Sequence, residues 1–363
     1  MELFLPFPKL AIAVALIGTL CLIPLLRQPA ARFGLMDEPG GRKRHNGAVP
    51  LVGGLAMGVS FFAALAIYAP SSWIVVWLAA GMALLLIVGL LDDRRELGAG
   101  MRFLVQSVAA GLMVFGGVEI TTLGYLFAAE PIELGLWAIP FTIACTVAVI
   151  NAVNMLDGVD GLAGCVTVVM LGWIAVAAAL NGAGANTIVP VLALMAAVAG
   201  FLIYNLQPEK NQRLRVFMGD SGSTMLGFAV AFLAVTAGLY GSAVYGNGQS
   251  PIPPIGIAWI LLLPVTDTVA LTLLRLTHKR NPMSPDRQHL HHILMRLGLG
   301  PRATVAVIVT VVACFGGFGV LGAVAGLSEA WLTGALIAVA MLHAGVIWQQ
   351  ERVEGWLRGE GKQ

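Results

Sequence analysis

Five aspartates stand beside apolar segments that are far apart in the chain: Asp92 and Asp93 in GLLDDRREL, Asp157 and Asp160 in NAVNMLDGVDGLAG, and Asp220 in VFMGDSGSTMLG. With Asn151 and Asn154 they offer only oxygen ligands. That donor set selects a hard cation, and Mg²⁺ or Mn²⁺ typically joins one or two carboxylates to substrate phosphates. A cation held on phosphate implies phosphoryl transfer. The glycines beside these acids suit helix N-termini, whose free N–H groups donate to phosphate oxygens. No GxxxxGK[ST] occurs, so the site is not a P-loop.

Two further polar segments belong with these acids. In NPMSPDRQHLHHILMRLGLG, Arg287 precedes His289, His291 and His292. On a helix His289 and His292 share a face while His291 points away. A polar loop without function is one alternative; zinc binding is another, against which no Cys is near and HxHH lacks the i, i+4 spacing of a helical zinc pair. The stronger expectation is a diphosphate-facing cluster in which Arg287 and the imidazoles neutralise charge on phosphate oxygens. Arg42, Lys43, Arg44 and His45 in DEPGGRKRHNGAVPLVGG either hold the phosphate of a lipid substrate or serve topology and anionic headgroups.

These residues must be positioned by a membrane protein. Of 363 residues 58% are apolar, a further 44 are Gly, only 11% are charged, and mean hydropathy is +0.87. That composition excludes soluble, fibrous, disordered and disulfide-scaffold classes. Cys21, Cys145, Cys165 and Cys314 lie apart in apolar runs and read as small buried hydrophobes. At about 20 apolar residues per crossing, the sequence predicts an all-α protein of eleven spans, roughly 9–26, 50–69, 72–91, 102–118, 134–152, 162–180, 187–206, 221–240, 253–275, 303–326 and 329–348. The first is expected to be a retained helix, since no Lys or Arg precedes Lys9. Gly54 with Gly58, and Gly322 with Gly326, are expected to allow close helix contact.

This arrangement puts 20 of the 21 Lys and Arg residues on one side, Lys9 excepted. Glu119, Glu130, Glu133 and Glu329 fall on the other. The positive-inside rule then predicts an external N-terminus and a cytoplasmic C-terminus. All five aspartates fall at cytoplasmic helix ends. The expected organisation is a single polytopic domain over 1–363, with cytoplasmic site loops 28–50, 92–101, 151–164, 205–223 and 276–302.

Each acid alone has a plainer reading. Asp92 and Asp93, followed by Arg94 and Arg95, suit a solvated helix end; Asp157, Asp160, Asp220 and Ser221 suit helix capping. Their coincidence on one face favours a membrane-surface active site. The competing class is a lipid or ion-coupled transporter, which would place acids nearer mid-depth and need access from both sides. Asp267 in PVTDTVALTLLR is the one deep acid, about 10–14 Å inside its span at 1.5 Å per residue. It either reaches the site beside a kink at Pro264 or makes a helix–helix hydrogen bond.

Taken together and in order, DEPGGRKRHNGAVPLVGG, GLLDDRREL, NAVNMLDGVDGLAG, VFMGDSGSTMLGF and SPDRQHLHHILMRLG resemble the polyprenyl-phosphate N-acetylhexosamine-1-phosphate transferases, from residue 37 to about 300. The pattern is most similar to the branch that starts O-antigen and related glycans. The segment His289-Leu290-His291-His292 departs from the three-histidine run usual in the muropeptide-precursor branch. The resemblance implies attack of a polyprenyl (undecaprenyl) phosphate oxygen on the β-phosphorus of a UDP-N-acetylhexosamine at the cytoplasmic face of the bacterial inner membrane, with release of UMP. It implies Asp220 as leading Mg²⁺ ligand with Asn154 nearby, and Asp92 and Asp93 at the reacting phosphate. Asp157, Gly158 and Asp160 would surround the uridine, Phe217 would stack on uracil and Asn205 would add a polar contact. Arg287, His289, His291 and His292 would hold the diphosphate and sugar. N-acetylglucosamine is the implied sugar, membrane lipid is a partner, a homodimer is usual in the family, and no nucleic acid is expected.

Overall fold

The computed structural model describes residues 6–38, 47–68, 72–207, 214–245, 250–279 and 288–349. It is all-helical apart from one short β pair. The helices are α1 (Pro6–Ala30), α2 (Gly53–Tyr68), α3 (Trp73–Arg95), α4 (Ala99–Phe115), α5 (Ala138–Leu156), α6 (Leu162–Leu180), α7 (Ala185–Asn205), α8 (Gly219–Tyr245), α9 (Pro254–Thr277), α10 (Leu290–Arg296), α11 (Pro301–Val324) and α12 (Glu329–Trp348). Among the described residues nine helices are long and apolar enough to cross a membrane. Helices α2 and α4, equally apolar in character, are shorter, at 16 and 17 residues. The chain is a multi-pass integral membrane protein.

Helix α8 forms the axis. In its apolar stretch 78% of residues are buried, against 17% in α12 and 22% in α1 at the periphery. Helices α2, α3, α5 and α6 pack around it, and α9 joins α5 to α11 and α12. Lipid tails are as apolar as the helix surfaces, so contact depends on close fit and interhelical hydrogen bonds. Two glycines show the fit: a Cβ on Gly54 would lie 2.4 Å from the Gly222 backbone N, and one on Gly89 2.3 Å from Ser221 Cα. Helices α2 and α3 therefore come to backbone distance at the start of α8. Gly58 faces the Leu86 side chain, 2.6 Å from where a Cβ would lie, whereas Gly326, at φ +83° with nothing within 4 Å, is a turn residue and not the packing residue its spacing suggested. Tyr204 ties α7 to α1 by donating to the Leu20 carbonyl at 2.9 Å, and Trp173 ties α6 to α11 through the Ala313 carbonyl at 3.0 Å.

The two ends of the bundle differ. At one, the chain from α4 to α5 meets the start of α12, where Glu329 Oε2 accepts from the Tyr125 N–H at 2.9 Å. At the other lie the C-termini of α3, α5, α7 and α9, the N-termini of α4, α6, α8 and α11, and helix α10. Strands β1 (Met36–Asp37) and β2 (Val49–Pro50) pair antiparallel there. Backbone bonds from Phe217 N–H to Pro50 and from Gly53 and Gly54 N–H to Phe217 and Met218 stitch the segment before α8 onto the start of α2.

Candidate active site

The five aspartates meet at this second end, around the first turn of α8. Gly219 opens the helix at φ +75°, a conformation that favours glycine, and a Cβ there would lie 2.5 Å from Asp93 Oδ2. Asp93, at the end of α3, accepts from the backbone N–H of Asp220 at 2.6 Å and of Ser221 at 3.2 Å. It thus satisfies orphan donors of α8 from a neighbouring helix. The capping expectation changes accordingly. Asp220 and Ser221 do not cap α8; Asp93 caps it, and the N–H groups of Asp220 and Ser221, expected to meet phosphate, are already bonded.

Asp92 is buried beside it. Its Oδ1 accepts from the Leu97 N–H at 2.6 Å and its Oδ2 lies 3.0 Å from Arg102 Nε. The half-exposed Arg102 guanidinium also reaches within 3.9 Å of Asp220 Oδ2, so one α4 cation spans two acids. Asn154, on the last turn of α5, donates through Nδ2 to Asp220 Oδ1 and Ser223 Oγ, both at 2.8 Å. Asp157 follows at the α5 C-terminus. Burial, then Asp220, Asp93, Asp160 and Asp37 around it, push its carboxyl well above the ordinary carboxylate range.

A second group lies alongside. Arg215 pairs with Asp160 and lays its guanidinium over the Phe217 ring, 5.1 Å from the centroid. Asn205 is buried: its Oδ1 accepts from the Gly161 N–H at 2.6 Å and its Nδ2 donates to the Val216 carbonyl at 2.9 Å. It fastens the end of α7 to the loops flanking α6 and α8, which is a positioning geometry.

The histidine segment closes the site from α10. His289 is the N-cap residue at φ −63°, ψ 153°, so it stands off the helix and the expected face shared with His292 does not form. Instead His289 and His291 are both buried with rings nearly parallel, 5° apart in plane at 5.7 Å, while His292 tilts against His291 at 4.1 Å. A Cβ on Gly158 would lie 3.2 Å from His291 Nε2, so this ring abuts the loop carrying Asp157 and Asp160. Burial, then neighbouring His292 and His289, lower the His291 imidazole to about 3, so it is neutral at physiological pH. Arg42, Lys43, Arg44, His45 and Arg287 lie outside the described residues.

Comparison with known proteins settles what kind of chain builds this arrangement. The sequence profile of Glycosyl transferase family 4 matches residues 73–238, which carry all five aspartates. The undecaprenyl-phosphate alpha-N-acetylglucosaminyl 1-phosphate transferase of Escherichia coli (strain K12) is 34% identical over 338 residues, covering 92% of this chain and 89% of that protein. The corresponding Yersinia pestis enzyme is 34% identical, over 88% and 85% of the two chains. A probable undecaprenyl-phosphate N-acetylglucosaminyl 1-phosphate transferase of Bacillus subtilis (strain 168) is 34% identical, over 82% and 80%. The chain belongs to this transferase family.

Within that family frame, the structure brings together Asp92, Asp93, Asn154, Asp157, Gly158, Asp160, Phe217, Asp220 and the three histidines of the segment. It adds residues that the sequence reading did not single out for the site. In the sequence Arg102 and Arg215 bear only on topology; their ionic partners, Asp92 and Asp160, lie 10 and 55 residues away. Asp37 on β1 joins the acids around Asp157. His343 is one polar residue in the apolar helix α12, and no sequence spacing links it to its partner Asp267.

Proposed function

We propose that this protein transfers N-acetylglucosamine 1-phosphate, or a related N-acetylhexosamine 1-phosphate, from a UDP-sugar to undecaprenyl phosphate, as the first membrane step of O-antigen or a related cell-surface polysaccharide. Likeness over nearly the whole chain to enzymes named for that transfer supports the lipid and the sugar. The observation that carries the chemistry is the convergence of Asp92, Asp93, Asn154 and Asp220 on the first turn of α8.

The donor set supports a hard cation. With the first N–H groups of α8 taken by Asp93, carboxylates dominate this surface, and a diphosphate approaching it meets like charge. Among the described residues no three His, Cys, Asp or Glu side chains form a closed metal cage. Mg²⁺ or Mn²⁺ typically binds one or two carboxylates and takes its other ligands from water and phosphate. Asp220 would hold it, and Asn154 would join by turning its amide oxygen toward Asp220. Bound there, the cation would supply charge neutralisation and orientation of the diphosphate.

The protein's own groups then position the reactants. A phosphate monoester has a second pKa of about 6, so the lipid phosphate is largely dianionic at neutral pH and needs no strong base. Its oxygen forms a bond to the β-phosphorus while the bond from that phosphorus to the bridging oxygen breaks, and UMP leaves with that oxygen. Asp93 is a positioning residue for Asp220, and Asp92 plays that part for Arg102, whose partly exposed guanidinium is suited to hold a reacting phosphate. Asp157, Gly158, Asp160 and Phe217 would receive the uridine, with Asn205 holding their loops. Arg287 and the histidines would hold diphosphate and sugar, and Arg42, Lys43, Arg44 and His45 the lipid phosphate.

The same reading takes α2 and α4 as crossings, giving eleven spans with the N-terminus outside, the C-terminus inside, and loops 28–50, 92–101, 151–164, 205–223 and 276–302 on the cytoplasmic face of a bacterial inner membrane. The positive-inside distribution of Lys and Arg supports this orientation, and the family's habit supports a homodimer. The test is UMP release by purified protein with undecaprenyl phosphate, across UDP-N-acetyl sugars, with Mg²⁺ or EDTA. Release that requires both lipid and metal is expected; release without either, or none with any donor, overturns the proposal.

A further inference from the structure

We propose that Asp267, a buried carboxylate on α9, is the positioning residue of the histidine segment, setting His289 and the start of α10 and through them the place of His291. This rests on the reading of that segment as the holder of diphosphate and sugar.

Asp267 is 5% exposed and meets three donors from two other elements. Its Oδ2 lies 2.7 Å from His289 Nδ1. Its Oδ1 accepts from the Leu290 N–H at 3.0 Å and lies 3.3 Å from His343 Nε2 on α12. Leu156, Leu263, Pro264 and Ile308 give the cavity beside it an apolar wall. A carboxylate in such a place is costly unless its oxygens are met, and here both are.

Each contact has a distinct consequence. Helix α10 has seven residues, too few to hold itself in water, so its first N–H bonded to a fixed carboxylate anchors its start. The ring bond places the His289 proton on Nδ1 and fixes the plane of the ring, leaving Nε2 as the nitrogen open to another partner. His291 then stacks on that plane, and its buried Nε2, without a hydrogen-bond partner among the described residues, abuts Gly158. The path Asp267, His289, His291, Gly158 therefore runs from the bundle interior to the loop of Asp157 and Asp160. His343 holds the opposite side of the same carboxylate and so restrains its rotamer from α12.

A helix-joining bond with no bearing on the reaction would weaken the fold and leave the coupling to His289 at zero, which a double-mutant cycle separates. The experiment uses the full-length chain in detergent with UDP-N-acetylglucosamine, undecaprenyl phosphate and Mg²⁺, reading kcat and both KM values by UMP release. Asp267→Asn keeps size and an acceptor for Leu290. It is expected to lower kcat about 10- to 100-fold, the loss typical when the partner orienting a functional histidine is removed, with KM for the lipid unchanged. Combined with His289→Ala it should cost no more than His289→Ala alone. His343→Phe, a milder change, should lower kcat in the same direction and likewise add nothing to His289→Ala, and this second cycle serves if Asp267→Asn does not fold. Wild-type kcat in Asp267→Asn, or losses that multiply in the double variants, overturns the proposal while leaving the functional reading intact. A fully active His289→Ala, or no UMP release by the unmodified protein, instead overturns that functional reading.

Discussion

The Asp93 carboxylate caps helix α8 from helix α3, accepting from the backbone N–H of Asp220 at 2.6 Å. The residue expected to hold the cation thus owes its placement to an acid 127 positions away. Asp267 does the same for α10 from α9. In both cases a carboxylate fixes the start of a helix whose first residues face the site.

Replacing Asp93 tests the first of these caps. Asp93→Ala leaves two helix N–H groups without their acceptor and should destabilise the protein by about 1–2 kcal/mol, with UMP release falling at least tenfold because Asp220 is no longer held. Asp93→Asn keeps one acceptor and should recover most of the stability. Thermal melting in detergent beside a turnover assay checks both. Wild-type melting of Asp93→Ala would contradict the capping role.

Asp220 separates chemistry from folding. Its side chain is partly exposed and bonded through Asn154 and Arg102, so Asp220→Asn should fold with an unchanged melting temperature. Turnover should fall by more than a hundredfold, and the rise in melting temperature expected with Mg²⁺ for the unmodified chain should be absent from the variant. A variant that turns over normally would remove Asp220 from the site.

Gly219 carries a steric prediction. Its φ of +75° and the 2.5 Å that a Cβ would leave to Asp93 Oδ2 make Gly219→Ala costly, by about 1–3 kcal/mol for the backbone alone. Gly111, within α4 and with nothing within 4 Å of a built Cβ, is the control. Gly111→Ala should be neutral or mildly stabilising. Comparing the two melting temperatures decides the matter.

The His291 imidazole, lowered to about 3 from its usual 6.5 by burial and its histidine neighbours, predicts an acid sensitivity. A group whose folded value is depressed contributes stability above its unfolded value and loses it as pH falls toward the folded one. The window is therefore about pH 6.5 down to 3. Asp157, raised by burial and surrounding acids, works in the opposite sense over part of that range, so the difference between unmodified protein and His291→Phe isolates the histidine. That difference should shift in favour of the variant as pH drops from 7 to 4. A pH-independent difference would contradict a buried neutral His291.

The membrane class, the apolar segments and the side on which the acids gather were legible in the sequence, because each is a one-dimensional property. A span needs about 20 apolar residues in a row, and the acids sit at its ends. The motif set was legible for the same reason, since each of its segments is contiguous.

Pairing between segments was not legible. Helix periodicity placed His289 with His292, yet His289 lies off the helix because a carboxylate on α9 fixes it as the N-cap residue. Capping was one reading of Asp220 beside metal ligation, and it is Asp93 that caps α8; Arg102, Arg215 and His343 show no more in sequence than their charge or polarity. The sequence by itself determined that this is a membrane protein with an acid-rich, oxygen-donor site at one face. Which acid caps a helix and which one meets a histidine was decided only by the tertiary structure. A carboxylate's role follows from the donors that reach its oxygens, and those donors come from other helices.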